Sequence, residues 1–338
     1  MTLVSVIVPC YNEQGTIQLL LDALYKQNYP RENLEVIIAD GLSTDLTRSE
    51  IAGFQREHPD LFIKIIDNSK RIIPAALNIA LEAAKGKYII RLDAHSMPYP
   101  DYISNCIQDL EARIAENVGG VWEIHPANSS WIARAIAVST SHPLGVGDAQ
   151  YRHANKSQYV DTVPFGAFQH SLVDQIGGYD ETLQTNEDYE FNVRVRQSGG
   201  RVWLNPAIRS IYFARANLGA LARQYWRYGY WKGRMLIRYP KTIRWRQGLP
   251  PLFVLSLLGL ILLGIWLPIG LWIFGAELLI YTLTLLIISS ILAIKRHDPT
   301  LSLGVPLAII IMHICWGTAL VWSVISSRGT IKRHDFTH

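Results

Sequence analysis

The chain has 338 residues, of which 49% are apolar and 18% charged, and its formal net charge is +4. This length suits either one large domain with a membrane part or two modest soluble domains, and the concentration of apolar residues near the C-terminus excludes the second arrangement. Cys10, Cys106 and Cys315 are scattered without metal-ligand spacing, which argues against a disulfide framework and fits a reducing compartment.

Strand and helix patterns alternate in the first hundred residues. Continuous apolar runs predict buried strands, and segments with helical periodicity separate them. The predicted strands are Leu3–Val8, Leu34–Ala39, Phe62–Ile66 and Tyr88–Leu92, and the predicted helices are Ile17–Lys26, Thr47–Glu57 and Ala75–Ala84. This order predicts an α/β domain with a mostly parallel sheet. Because the N-terminus reads as a first strand and has no signal-peptide pattern, we expect the front domain to stay in the cytoplasm.

The middle of the chain is less regular. We predict helices at Asp101–Asn117, Trp131–Thr140 and Asn186–Ser198, and a short strand at Gly120–Ile124. The glycine-containing segment His142–Asp148 predicts a mobile loop.

Two long apolar stretches follow residue 248. Leu249–Ile294 has no charged residue except Glu277, and Leu303–Ile325 has no acidic or basic residue apart from His313. A bilayer-crossing helix needs about 20 apolar residues, so we predict three spans at 250–268, 271–294 and 303–325, and a tail at 327–338.

A basic and aromatic segment, 216–248, precedes the predicted spans. Beside a membrane span this composition favours the cytoplasmic headgroup layer, and we prefer this interpretation to nucleic-acid binding. Three spans place the Lys295–Arg296 loop in the cytoplasm, in agreement with the positive-inside rule, but they place the basic tail outside. A re-entrant last segment is the alternative.

Polar residues follow three of the predicted strands, in Pro9-Cys-Tyr-Asn-Glu13, Asp40-Gly-Leu-Ser-Thr-Asp45 and Asp93-Ala-His95. Ligands of parallel α/β sheets bind at the carboxyl ends of the strands, so these segments are candidates for a binding site. The chain contains neither GxGxxG nor GxxxxGK[ST], which excludes nucleotide binding in the manner of a dehydrogenase or a P-loop ATPase.

These three segments and Thr185-Asn-Glu-Asp-Tyr189 resemble, in order, the signature of glycosyltransferase family 2. Residues 160–233 resemble more narrowly its succinoglycan-biosynthesis (ExoA-like) branch, and the whole match covers about 3–233. The resemblance implies inverting transfer from a nucleotide sugar. It also implies a Rossmann-like GT-A fold over 1–215, ahead of the interfacial segment 216–248 and the transmembrane region 249–326.

The resemblance implies a nucleoside-diphosphate-sugar site beside the first strands. Asp40 would accept the N–H of a uracil ring. The other expected donor-site residues are Pro9, Tyr11, Glu13, Ser43, Asp45, Arg71, Asn78 and Asp93. Structural alternatives remain open: Asp40 as a turn residue, Asp45 as a helix cap and Arg71 as a solvated side chain.

Asp93-Ala-His95 occupies the position of the family's metal-binding DXD motif, with His95 in place of the second aspartate. The resemblance therefore implies a divalent cation, Mn²⁺ or Mg²⁺, held by Asp93 and His95. Imidazole shifts the preference away from Mg²⁺. A salt-bridged aspartate and a structural histidine are the alternative.

Asn186-Glu-Asp-Tyr189 matches the family's acidic motif. By this resemblance Asp188 is the general base that deprotonates the acceptor hydroxyl, with Glu187 beside it. Alternatively, both carboxylates only stabilise the N-terminus of a helix.

Gln224-Tyr-Trp-Arg227-Tyr228 resembles a softened Q-x-x-R-W motif. Gln224, Arg227 and Tyr228 are candidates for contacts with the acceptor or the diphosphate, and an amphipathic interfacial helix is the alternative.

The resemblance and the apolar segments together predict a hexosyltransferase in a bacterial inner membrane. The enzyme is expected to move a sugar to a lipid-linked saccharide in exopolysaccharide or cell-envelope synthesis, and the resemblance implies a UDP-sugar donor. Two alternatives stay open: a polyprenyl-phosphate glycosyltransferase and a membrane scaffold that binds nucleotide sugar without turnover.

Overall fold

The computed structural model describes residues Thr2–Ser327, so the basic tail beyond Ser327 lies outside the described residues. The chain groups into two compact units. The first contains Met1–Glu123 and Gln150–Tyr212, and the second contains Ile124–Ala149 and Phe213–His338. The predicted division at residue 215 stays a prediction, although the second unit also takes in a segment from the middle of the chain.

A nine-stranded sheet forms the centre of the first unit, in the order β3-β2-β1-β4-β8-β6-β9-β5, with β7 paired to β9. The strands are β1 Val4–Cys10, β2 Leu34–Asp40, β3 Phe62–Asp67, β4 Tyr88–Arg91, β5 Met97–Pro98, β6 Asn117–His125, β7 Gln158–Tyr159, β8 Ala167–Gln169 and β9 Val202–Phe213. The first four strands are parallel, β1 lying between β2 and β4, and β8 is antiparallel to β4 and β6. This confirms the predicted mostly parallel α/β fold.

The helices of the described residues follow the predicted order. They are α1 Ile17–Tyr25, α2 Thr47–Glu57, α3 Ile73–Ala83, α4 Tyr102–Glu111, α5 Trp131–Ser141, α6 Pro143–Val146, α7 Ser171–Ile176, α8 Glu187–Gln197, α9 Leu218–Arg238, α10 Trp245–Trp266, α11 Ile269–Lys295 and α12 Leu301–Ser326.

The sheet has a hydrophobic core on each face. Val4, Val6 and Val8 of β1 face one core, and Ile7 faces the other, so a strand buried on both faces needs a continuous apolar run. The edge strand β3 differs from the prediction of a strand buried on both faces, because Phe62 is 56% exposed and Ile66, on the same face, is only partly buried.

The second unit is helical. Helices α10, α11 and α12 are each long and apolar enough to cross a membrane. The segment predicted as a mobile loop contains the short helix α6, and its glycines serve close packing. A Cβ at Gly145 would overlap the Ser139 carbonyl, and Gly147, with φ of +64°, lies against Arg246. The prediction of a loop was therefore wrong for Pro143–Val146, and its predicted mobility stays a prediction.

Candidate active site

The loops that follow β1 and β2 are tied together by hydrogen bonds. The Asn12 N–H donates to Ser43 Oγ over 2.8 Å, and the Thr44 N–H donates to Asn12 Oδ1 over 2.9 Å. Asp45 accepts from the Gln14 N–H over 3.1 Å and from the Thr47 hydroxyl over 2.6 Å. The hydrogen bond from Thr47 lowers the pKa of Asp45. Asp45 thus joins the two loops just before the start of α2. This role is close to the helix-capping role that was predicted as its structural alternative.

Asp40, the last residue of β2, is fully buried and engaged on both oxygens. It accepts from the Ser43 hydroxyl and N–H, the latter over 3.0 Å, and from Arg48 Nε over 2.5 Å. Arg48 also pairs with Asp67, and these two carboxylates, Asp67 first, raise its pKa. Sequence reasoning missed Arg48, whose signal was its place in the first turn of the helix after the Asp40 loop.

Two other predicted donor-site residues lie beside these loops. Tyr11, which directly follows β1 and lies two residues after Pro9, is 44% exposed, and the Arg71 guanidinium lies 5.8 Å from its ring centroid. Asn78 uses its amide elsewhere: it donates to the Tyr179 carbonyl over 2.9 Å and accepts from the Tyr179 N–H over 2.7 Å. Its predicted contact with ribose or diphosphate stays a prediction.

The DXD-like segment follows β4. The Asp93 carbonyl accepts from the Ser96 N–H over 2.9 Å, which closes a turn. The His95 Nδ1 lies 3.0 Å from Glu13 Oε1, and the two side chains are 45% and 21% exposed. This contact joins the loop after β4, which carries His95, to the loop after β1, which carries Glu13.

The buried Arg91, at the end of β4, joins the acidic residues of two distant segments. Its side chain is 3% exposed. Its Nη2 donates to Asp93 Oδ1 over 2.9 Å and to Glu187 Oε1 over 3.0 Å, and its Nη1 pairs with Asp188. Burial disfavours the guanidinium charge, but Asp93 and Glu187 outweigh this cost and raise the pKa of Arg91. We call Arg91, Asp93, Glu187 and Asp188 the carboxylate cluster.

Helix α8 presents two of these carboxylates. Glu187 and Asp188 occupy its first turn, after Asn186 with φ of +69°. The side chain of Glu187 is 8% exposed and that of Asp188 is 23% exposed. Sequence reasoning gave Arg91 no role, although it lies two residues before the Asp93-Ala-His95 motif. The signal was a single cation within a run predicted to be a buried strand.

The chemistry of the donor set fits a divalent cation. Asp93 supplies carboxylate and His95 imidazole, which Mn²⁺ accepts. Within Thr2–Ser327 no three His, Cys, Asp or Glu side chains converge as metal ligands. Such a cage is not required, because metals at phosphate sites use one or two carboxylates together with substrate oxygens and water.

The predicted acceptor residues lie on α9 in the second unit. Gln224 is buried and donates to the Tyr228 hydroxyl over 2.9 Å, whereas Arg227 is exposed. Gln224 and Tyr228 therefore share one side of the helix, and their predicted role stays a prediction.

Comparisons with known proteins agree with this arrangement. Residues 5–177 match the model of glycosyl transferase family 2. The chain is 29% identical, over 98% of its length and all of the relative's, to a dolichyl N-acetyl-α-D-glucosaminyl phosphate 3-β-D-2,3-diacetamido-2,3-dideoxy-β-D-glucuronosyltransferase of Methanococcus voltae. It is also 29% identical, over 92% of both chains, to the succinoglycan biosynthesis protein ExoA of Rhizobium meliloti.

A solved structure shares the fold. The mannosyltransferase PcManGT of Pyrobaculum calidifontis, in complex with GDP-Man and Mn²⁺, aligns with a TM-score of 0.64 and 20% identity over 97% of this chain and 88% of that one. Since the family model covers more than half of the chain, the protein belongs to glycosyl transferase family 2 and is a glycosyltransferase with a GT-A-like domain and apolar C-terminal helices.

Proposed function

We propose that the protein is an inverting, metal-dependent hexosyltransferase that transfers a sugar from a nucleoside-diphosphate sugar to a lipid-linked saccharide. The carboxylate cluster is the observation that carries this proposal. One guanidinium contacts both Asp93, in the motif of the donor diphosphate, and Asp188, in the motif of the base. A single displacement needs the leaving group and the base at the two ends of one reaction axis, so these functions must lie close together.

Asp188 is the better candidate for the base. A general base has to come within hydrogen-bond distance of the acceptor hydroxyl. Both carboxylates contact Arg91, but the side chain of Asp188 is 23% exposed and that of Glu187 is only 8% exposed. Glu187 therefore suits a positioning role, in which it helps Arg91 to hold the first turn of α8 against the end of β4.

Asp93 and His95 would hold the cation. When bound, a divalent cation neutralises the charge that develops on the leaving diphosphate. The chain's own part is to hold Asp93 through Arg91 and His95 through Glu13, so that both side chains stay at the carboxyl end of β4.

The donor base would bind between the loops after β1 and β2. The buried Asp40, the hydrogen bonds that fix Ser43 and Asp45, and the exposed ring of Tyr11 support a preformed pocket wall there. We propose a UDP-sugar, following the family resemblance. The complex of PcManGT contains GDP-Man, so GDP-mannose is the competing donor to include in any test.

The acceptor would be a lipid-linked saccharide for exopolysaccharide or cell-envelope synthesis. The names of two relatives support this class: one acts on a dolichyl-linked amino sugar phosphate and the other serves succinoglycan biosynthesis. The apolar helices α10, α11 and α12 would keep the enzyme in a bacterial plasma membrane, with the catalytic domain on the cytoplasmic side.

Radiolabelled nucleotide sugars, offered one at a time with a membrane lipid extract, test this function. We expect one donor to label lipid with Mn²⁺, and EDTA or Asp93→Asn to abolish the labelling. A product that contains only a sugar joined to lipid phosphate would indicate a polyprenyl-phosphate glycosyltransferase instead. If a competent acceptor is present and neither transfer nor donor hydrolysis occurs, the proposed activity is contradicted and the scaffold alternative is supported.

A further inference from the structure

Helix α9 runs side by side with α12, in the same direction, over most of the length of α12. Leu221 and Tyr225 share a core cluster with Ala308 and Met312. Four residues further on, a Cβ at Gly229 would overlap the backbone of Trp316.

The contact continues at the next turn of both helices. A Cβ at Gly233 would meet Leu320 and Ser323. From Ala308 to Ser323 α12 rises about 22 Å, compared with a hydrocarbon core of about 30 Å. Whatever depth α12 has in the membrane, α9 therefore shares it.

Helix α9 is too basic to lie within hydrocarbon. The stretch carries no acidic residue and five basic ones, namely Arg223, Arg227, Lys232, Arg234 and Arg238. Charged side chains at the bilayer centre are costly and face a protein interior or a water-filled cavity, whereas Arg223, Arg227 and Arg238 are exposed. If α12 crossed the bilayer, Arg223 and Arg227 would enter the lipid with it, because Leu221–Gly233 lies beside Ala308–Ser323.

The first turns of α12 are covered by another non-spanning helix. Gly304 lies against Ala135 of α5, where a Cβ would overlap the Ala135 methyl group. Just before α12, Asp298 accepts from Arg134 Nε of α5 over 2.7 Å. The pairing with Arg134 and the hydrogen bonds from Thr300 lower the pKa of Asp298 to about 2, so this pair is ionised at neutral pH.

Helices α10 and α11 differ from α12 in exposure. In the most apolar 18-residue stretch of α10 and of α11, 11% of the residues are buried, whereas in the corresponding stretch of α12 39% are buried. Their single acidic residue, Glu277, accepts from the Ser256 hydroxyl over 2.7 Å within the pair. Trp266 and Trp272, on either side of the turn, are 83% and 77% exposed, as expected of an aromatic belt at a membrane interface.

We propose that the chain crosses the membrane twice, through the α10–α11 hairpin, and that α12 lies with α5 and α9 at the headgroup layer on the side of the catalytic domain. The exposed basic face of α9 then meets anionic lipid headgroups. The tail, with Arg328, Lys332 and Arg333 in its sequence, stays on the same side as the Lys295–Arg296 loop, in agreement with the positive-inside rule. This topology goes beyond the proposed function and does not depend on it.

Cysteines introduced one at a time into the full chain, which keeps its three native cysteines, test the topology. Leu267→Cys marks the hairpin turn, Arg296→Cys the following loop, and Ser326→Cys the end of α12. Spheroplasts are treated with a membrane-impermeant maleimide before and after permeabilisation, and the wild-type chain with its three native thiols gives the background. We expect Leu267→Cys to label before permeabilisation, and Arg296→Cys and Ser326→Cys only afterwards.

Labelling of Ser326→Cys in intact spheroplasts would overturn the proposal in favour of three spans, and failure of Leu267→Cys to label there would show that the hairpin does not cross. Full-length fusions at His338 give an independent readout that needs no cysteine variant. Green fluorescent protein is expected to fluoresce and alkaline phosphatase to be inactive, and the opposite pair of results would refute the topology.

Discussion

The replacement of Arg91 by methionine tests whether the carboxylate cluster is held together as described. The side chain of Arg91 is 3% exposed and faces Asp93, Glu187 and Asp188, which are 27%, 8% and 23% exposed. Methionine keeps much of the volume but removes the charge. Two segments that are 96 residues apart in sequence, β4 and the first turn of α8, would then present their carboxylates to one another without a cation.

The expected loss of stability follows from this burial. Removing one partner of a buried ion pair costs about 3–5 kcal/mol, because the remaining charge stays desolvated. For a domain of about 150–250 residues, 1 kcal/mol corresponds to a shift in Tm of about 2–4 °C. We therefore expect Arg91→Met to lower the melting temperature by roughly 6–20 °C. The melting temperature of Arg91→Lys should lie between those of Arg91→Met and the wild type. The lysine keeps the charge, but one ammonium cannot reproduce the forked contacts of a guanidinium.

Thermal unfolding of the detergent-solubilised full chain, followed by tryptophan fluorescence, measures this shift. Lys70→Met is the matched control, because Lys70 pairs with Glu181 at the surface with its side chain 63% exposed. An exposed pair contributes about 0–1 kcal/mol, so the control should melt within about 4 °C of the wild type. If Arg91→Met melted as close to the wild type as this control does, the carboxylate cluster would not be the structural link that we describe.

Two further predictions concern packing and pH. Gly120→Ala should abolish accumulation of folded protein, because the new Cβ would overlap the Ile208 carbonyl. The control Gly53→Ala, whose new Cβ has its nearest neighbour at 3.9 Å, should be neutral or stabilising by up to about 1 kcal/mol. Equal yields of the two variants would contradict this prediction. The pKa of Asp298 is lowered to about 2 from 3.8 by Arg134 and Thr300, so its contribution to stability is complete above pH 4 and is lost as the pH falls through about 2. The melting temperature of the wild type should therefore fall more steeply than that of Asp298→Asn between pH 4 and 2, and parallel curves would count against the ion pair.

The elements of the parallel half of the sheet could be predicted from the sequence because local patterns determine them. Helix α2 has the predicted bounds Thr47–Glu57, and β2 extends the predicted strand by one residue. The twelve-residue β9 was missed because its apolar residues are interrupted by Asn205-Pro206 and Arg209, and its burial depends on strands far away in the sequence.

The candidate site shows the same division between local and long-range information. The motifs predicted which carboxylates lie at the strand ends, since each segment follows its own strand. They did not predict that Arg91 would join Asp93 to Asp188, because that contact depends on how α8 packs against β4. Nor did they reveal that α9 accompanies α12, since hydropathy alone treats α12 as a third span.

The kinetics of Asp188→Asn test the central claim most directly. Transfer to the lipid acceptor is measured with Mn²⁺ over a range of donor concentrations, beside Asp174→Asn, which changes an exposed carboxylate on α7 of the same unit. General base catalysis contributes about 10²–10⁴-fold, so we expect kcat of Asp188→Asn to fall by at least about 100-fold, with the KM for the donor unchanged. A kcat that stays equal to that of Asp174→Asn would contradict the assignment of Asp188 as the base.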